Sequence, residues 1–192
     1  MQELQDYSGP FVPNIKRENL SKDFLIRLMS ECSAYLETLD DRWWATVEQE
    51  AGKKKVLDMS VAVWNQLAEL RHPKIAKAAN IEVKDIVDVM KVWQMLPDGI
   101  LNGLYDVKMD VQNGDRNHVI WTVTRCRSLE FFEKKVPDRV ARVCGYGGQE
   151  HQTIENYLRV FFPDVETKVL KLPPRKSSND IACQWEFTRK TR

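Results

Sequence analysis

The spacing of apolar residues changes once along this chain, and that change limits the folds open to it. Up to about residue 96, apolar side chains recur every three or four positions. Phe24, Leu25, Leu28, Met29, Cys32, Tyr35 and Leu36 form one such stripe, which continues through Trp43, Trp44 and Val47. Ile86, Val87, Met90 and Trp93 form another. That is the signature of amphipathic helices. Beyond residue 105 the period becomes two. Tyr105, Val107, Met109 and Val111 alternate with Asp106, Lys108 and Asp110, and Val119, Trp121 and Val123 alternate with polar residues. Asn113-Gly114 between these runs marks a hairpin with a slightly long turn.

Punctuation residues divide the helical half. Ser21 is the expected N-cap of a first helix that stops at Gly52. A second helix runs from about residue 53 to 70, and His72-Pro73 is expected to break it. A third spans about 83–96 and ends at Pro97-Asp98-Gly99. In the second half, residues 127–136, 138–143 and 149–162 read as helices. Val165–Leu172 and Ile181–Phe187 read as strands of a second hairpin. Gly145, Gly147 and Gly148 form an expected flexible loop after Cys144. The expected fold is therefore α+β: a helical N-terminal half, then an antiparallel sheet of about four strands packed with helices. Residues 1–20 read as an extended arm, 21–100 as a helical subdomain and 101–192 as the sheet-bearing subdomain, the last two forming one compact unit. At 192 residues such a chain buries roughly 70% of its unfolded surface and needs no staples.

Charge narrows the function classes. Twenty-nine basic residues against 28 acidic ones give a net charge of +1. No general attraction to nucleic acid or an anionic membrane follows from that balance. No stretch approaches 18 apolar residues, and the N-terminus lacks the basic start and apolar core of a signal peptide. A cytoplasmic protein is expected, with Cys32, Cys126, Cys144 and Cys183 reduced. Phosphate-binding and dinucleotide glycine motifs, HExxH and GxSxG are all absent.

The cysteines carry most of the remaining chemistry. Cys32 lies on the first helical stripe and reads as a packing residue. Cys126 ends a strand, Cys144 ends a helix, and Cys183 sits mid-strand. If both hairpins share one sheet, these three thiols converge where sheet meets helix. With His151 or a carboxylate they form a ligand set for zinc; alone, they could hold an iron–sulfur centre with an open site. Separate packing of each cysteine is the alternative, and the spacing includes no C-x-x-C pair. Parity also counts against convergence. Strict alternation places Cys126 with His118, Ile120, Thr122 and Thr124, away from the apolar face that holds Cys183. A nucleophilic role needs a thiolate. Arg125 and Arg127 flank Cys126, Arg142 lies near Cys144, and His151 can turn back across the glycine loop. In the helical half, Trp43, Trp44 and Trp64 with Glu48 and Asp58 could line an aromatic pocket, although aromatic residues at helical spacing more often form core.

Several stretches resemble a known group. "CRSLEFFEKK", "VARVCGYGGQEH", "FFPDVETKVLKLPPRKSSNDIACQWEF", "YSGPFVPNIKRENLSKDFLIRL" and "DRWWATVEQEAG" resemble an uncharacterised bacterial and archaeal family. That family looks related to the L-2-amino-thiazoline-4-carboxylic acid hydrolase-like family and, more remotely, is similar to vinyl-reductase-type small-molecule sensor domains. The resemblance implies that Cys126, Cys144 and Cys183 form one cysteine-lined small-molecule site. It implies hydrolytic opening of a C–N bond in a small ring, with Cys126 or Cys144 or a bound metal supplying the nucleophile. Trp121 and Trp185 would then wall the pocket and Arg127 would hold a substrate carboxylate. A non-enzymatic ligand- or metal-binding sensor or accessory protein is the alternative. A third reading is an interaction protein, with a homodimer that buries Trp43 and Trp44. Relatives often carry cysteines just before the Pro-Pro loop, where this chain has Val169-Leu170-Lys171-Leu172.

Overall fold

A computed structural model describes residues 3–97, 99 and 103–190. The elements run α1 (Lys22–Ala51), α2 (Lys53–Ala78), α3 (Ile86–Gln94), β1 (Tyr105–Val111), β2 (His118–Cys126), α4 (Arg127–Lys135), α5 (Asp138–Cys144), α6 (Gln149–Arg159), β3 (Glu166–Lys171) and β4 (Cys183–Thr188). The fold is α+β, as the change of period predicts. Backbone packing divides the chain into residues 1–43 and 44–192, with the division inside α1. The expected boundary between residues 100 and 101 lies outside the described residues.

In the first unit, Leu4 bridges Leu20 and a 3-10 turn covers Arg17–Asn19. Ser21 Oγ then accepts the Phe24 amide at 3.2 Å, the expected N-cap. Cys32 is exposed, not packed. It lies on an exposed flank of the helix, a matter that the stripe alone does not decide.

In the second unit, α1 stops at Gly52, whose φ of +85° suits a residue without a Cβ. The expected break at His72-Pro73 does not occur. Pro73 sits inside α2, which continues to Ala78. Proline removes one backbone bond there, but His72 and Ala76 are buried beside it. The His72 ring meets Tyr157 of α6 edge-on, with centroids 5.2 Å apart. Packing on α6 thus holds the helix through the proline. Asp85 caps α3 by accepting the Asp88 amide at 3.0 Å. Arg116, from the β1–β2 connection, binds Asp85 at 2.6 and 2.9 Å.

The four strands form one antiparallel sheet in the order β1-β2-β4-β3, two hairpins joined through β2 and β4. One face carries the core. Val119, Trp121, Val123, Trp185 and Phe187 pack there with Ile86, Met90 and Trp93 of α3, Leu129 of α4, Val140 of α5 and Leu158 of α6. The other face is polar. Gln184 Nε2 donates to Thr122 Oγ1 at 2.9 Å, and Glu186 receives both His118 and Lys168. No described helix is long and apolar enough to cross a membrane.

Candidate functional site: a buried thiol cluster

Regular alternation would turn Cys126 away from the core. A β-bulge prevents this. Pairing steps from Val107↔Val123 to Asp106↔Arg125 and then Tyr105↔Cys126, leaving Thr124 without a partner on β1. The extra residue reverses the side-chain parity of β2 beyond it. Cys126 therefore returns to the face of Tyr105, Val107 and Val123. Cys183 opens β4 directly opposite Val123, on the same face. Cys144 closes α5, and all three cysteines border the core cluster.

The connection after Cys144 is a tight turn. A Cβ on Gly145 would lie 2.6 Å from the Ala141 carbonyl oxygen, and one on Gly148 would lie 2.7 Å from that of Arg142. This close turn starts α6 beside the end of α5. Gln149, its first residue, is buried and accepts a 2.5 Å hydrogen bond from Ser60 of α2. Glu150 follows in the first turn, where its charge reaches all three thiols.

Electrostatics keep these thiols protonated. Loss of water around the sulfur pushes Cys126 up to about 11, with Glu150 adding to the rise. The amides of Leu129 and Ser128 oppose it. Leu129 N donates to Cys126 Sγ at 3.5 Å, so the thiol also caps α4. Burial pushes Cys183 up to about 12. Cys144 stands well above the usual thiol range through burial first, then Glu150 and the other two cysteines. By accessible surface the three residues are only partly buried. The packing around each sulfur is nonetheless that of the interior, and it is the sulfur's own surroundings that set its ionisation.

His151 does turn back across the glycine connection. Its Nδ1 accepts the Gly147 amide at 3.4 Å. Its ring lies 4.4 Å from Tyr146 and stacks on Trp185 at 6.1 Å. Trp185 Nε1 leans toward Cys183, where it favours the thiolate, yet it finds no acceptor at hydrogen-bonding geometry. Among the described residues, no group of three or more His, Cys, Asp or Glu side chains stands placed to hold a metal ion.

Residues 17–189 match the model of a family of unknown function, DUF6125. The chain belongs to that family. No curated protein and no solved structure matches it. The match runs from before α1 to the end of β4, so DUF6125 takes in all three clustered thiols. Neither hydrolysis nor sensing follows from membership.

One cation near the DUF6125 thiol cluster has no simple signal in the sequence. Arg175, in the β3–β4 loop, is almost fully buried. It grips Glu133 of α4 at 3.0 and 2.5 Å and donates to the carbonyls of Ser178 and Asp180. It also feels Cys126 and Glu130. Only its place after Pro173-Pro174 hints at a fixed loop. Glu150 is equally easy to miss, since a helix's first turn commonly holds an acid.

The other expected contacts fall elsewhere. Trp121 and Trp185 are 4% and 1% exposed, so their rings fill the core and do not wall an open pocket. Large apolar rings on the inner face of a sheet are what the helices pack upon. Arg127 is exposed and has no ion pair among the described residues. Trp44 is buried and donates from Nε1 to Glu48 at 3.0 Å, which removes it from any docking face. Glu48 is also paired with Arg142 at 2.9 Å, so its charge is already met inside the chain. Asp58 pairs with Lys54 at 2.7 Å on the solvent side of α2. Trp43 is half-buried, in the first unit. An open cleft of about 480 Å³ lies at the far end of the sheet, lined by Asp115, Asn117, His118, Thr188, Arg189 and Lys190.

Proposed function

We propose that this DUF6125 protein binds a thiophilic metal ion, zinc foremost, through Cys126, Cys144 and Cys183, as a binding or sensing module and not as a thiol hydrolase. One observation carries this reading: three thiols from three separate elements pack against one core cluster, and Glu150 raises the pKa of each. Protonated, they are inert. Deprotonated together, they would place three negative charges beside a carboxylate in a poorly hydrated space. A cation is what makes that state stable, because metal binding drives the protons off. Among the described residues the side chains do not already surround one point, so binding would have to bring them together. Four unpaired thiols also suit a reducing, cytoplasmic setting.

The test is metal content in anaerobically purified protein, beside the triple Cys126/Cys144/Cys183→Ser variant. About one metal per chain is expected, falling roughly tenfold or more in a variant of unchanged helix content. No metal in either protein would end the proposal.

Ring hydrolysis is the second reading. It rests on the resemblance and on the seat of Cys126 at the N-terminus of α4, a position that favours a thiolate. It needs Cys126 to ionise near neutrality, against the balance of burial and Glu150. The pH dependence of alkylation separates the two readings. Metal-free protein should react only above about pH 10; a midpoint below 8 would favour the nucleophile.

A further inference from the structure

The first unit leaves one helix flank open. Leu25, Leu28, Cys32, Tyr35 and Leu39 follow one another at intervals of three, four, three and four. These are successive seam positions of a two-helix coil. Tyr35 is 74% exposed, Leu39 55% and Leu28 40%, and Cys32 is exposed with them. The seam shows on the order of 500 Å² of apolar surface, near the upper end of what a monomer leaves in water. With its flanks it approaches the roughly 800 Å² that each partner gives to a stable interface.

Two features point to a second copy of this chain as the partner. The seam is nearly symmetric about Cys32, with Leu25 seven residues before and Leu39 seven after. A two-fold axis at Cys32 therefore sets Leu25 against Leu39 and Leu28 beside Tyr35. Charge agrees with that direction. Lys16, Arg17, Lys22 and Arg27 outweigh Glu18, Asp23 and Glu31 in the half before Cys32, net +1. Glu37, Asp40 and Asp41 outweigh Arg42 in the half after it, net −2. An antiparallel pair places the positive half on the negative one and also opposes the helix dipoles. A parallel pair would stack like on like.

We propose that the α1 seam pairs antiparallel with the same seam of a second copy, with the two Cys32 side chains meeting at the axis.

Sedimentation equilibrium of the full chain should give a dimer at tens of micromolar. Tyr35→Glu/Leu39→Glu should weaken it at least about 100-fold with unchanged circular dichroism, since each buried charge opposes pairing. A short bis-maleimide should cross-link the wild type, and Cys32→Ser should abolish the product. If the double variant misfolds, the cross-link still decides. Leu25→Cys in the Cys32→Ser background fixes direction, because antiparallel mates at that position stand about 20 Å apart by helix rise. It should give no product. A monomer without cross-link would overturn the proposal, whether the seam then meets solvent or some other protein. A product from Leu25→Cys would overturn the antiparallel pairing.

Discussion

The two ends of the β2–β4 pair carry opposite chemistry on one sheet. At one end Cys126 and Cys183 face the core, shielded from water and held neutral. At the other, His118 Nε2 lies 2.8 Å from Glu186 Oε1 and Lys168 reaches the same carboxylate at 3.2 Å, with solvent on all three. Glu186 is held below its ordinary range by His118 first and Lys168 second. The β2–β4 ladder itself is regular from His118↔Thr188 to Val123↔Cys183. What differs is the side of the sheet and the cover of α4, α5 and α6. Ionisation here is set by water, and reactivity at the closed end must come from something that replaces water.

The largest expected effect is at the closed end. Trp185→Ala should cost about 3–5 kcal/mol, because a fully buried ring leaves a cavity between the sheet and His151. Urea denaturation measures it; a loss under about 1 kcal/mol would mean the end is not closed at all. The alkaline limb comes next. Folded thiols at about 11 and 12 stay protonated where the unfolded chain ionises near 9.0. Their contribution is therefore complete below pH 9 and is lost as pH rises through about 11 to 12. A fall on the order of 3 kcal/mol per thiol is expected over that span, and the triple Ser variant should lack it. A wild-type curve that is flat to pH 11 would refute the contrast between the ends.

Smaller effects sharpen the comparison. Gly148→Ala forces a Cβ against the Arg142 and Ala141 carbonyls at 2.7 and 2.9 Å. About 1–3 kcal/mol should be lost, and alkylation of Cys144 should speed up as α6 shifts. If reactivity does not change, the turn does not govern access to the thiols. The smallest effect belongs to the open end. Glu186→Gln should change stability by less than about 1 kcal/mol at pH 7, since exposed pairs contribute little. A loss above about 2 kcal/mol would show that end to be less hydrated than its exposure implies.

Much of the architecture could be read from residue order because its causes are local. Ser21, Gly52, Asn113-Gly114 and the change of period depend on neighbours a few positions away, and each stands where expected. Antiparallel pairing of the first hairpin follows from its short connection after Val111, whereas β3 and β4 pair across the longer loop between Lys171 and Cys183. Pro73 shows the limit: a local rule predicts a break, and burial of His72 and Ala76 against α6 overrides it.

The site followed the second kind of cause. The convergence of Cys126, Cys144 and Cys183 was open to suspicion from the residues alone, yet parity argued against it. A single unpaired residue at Thr124 reversed that parity. Bulges belong to a pair of strands, so one strand's alternation cannot reveal them. Trp121 and Trp185 show the same dependence. Their spacing gave a shared face, and only the helices laid over that face made them core instead of pocket wall. Sequence by itself determined the elements, their order and the chemical inventory, through short-range propensity and hydrophobic period. Tertiary structure alone decided which thiols border the core, what charge they keep and which helix flank is exposed, because solvation and contact are set by chain segments far apart in sequence.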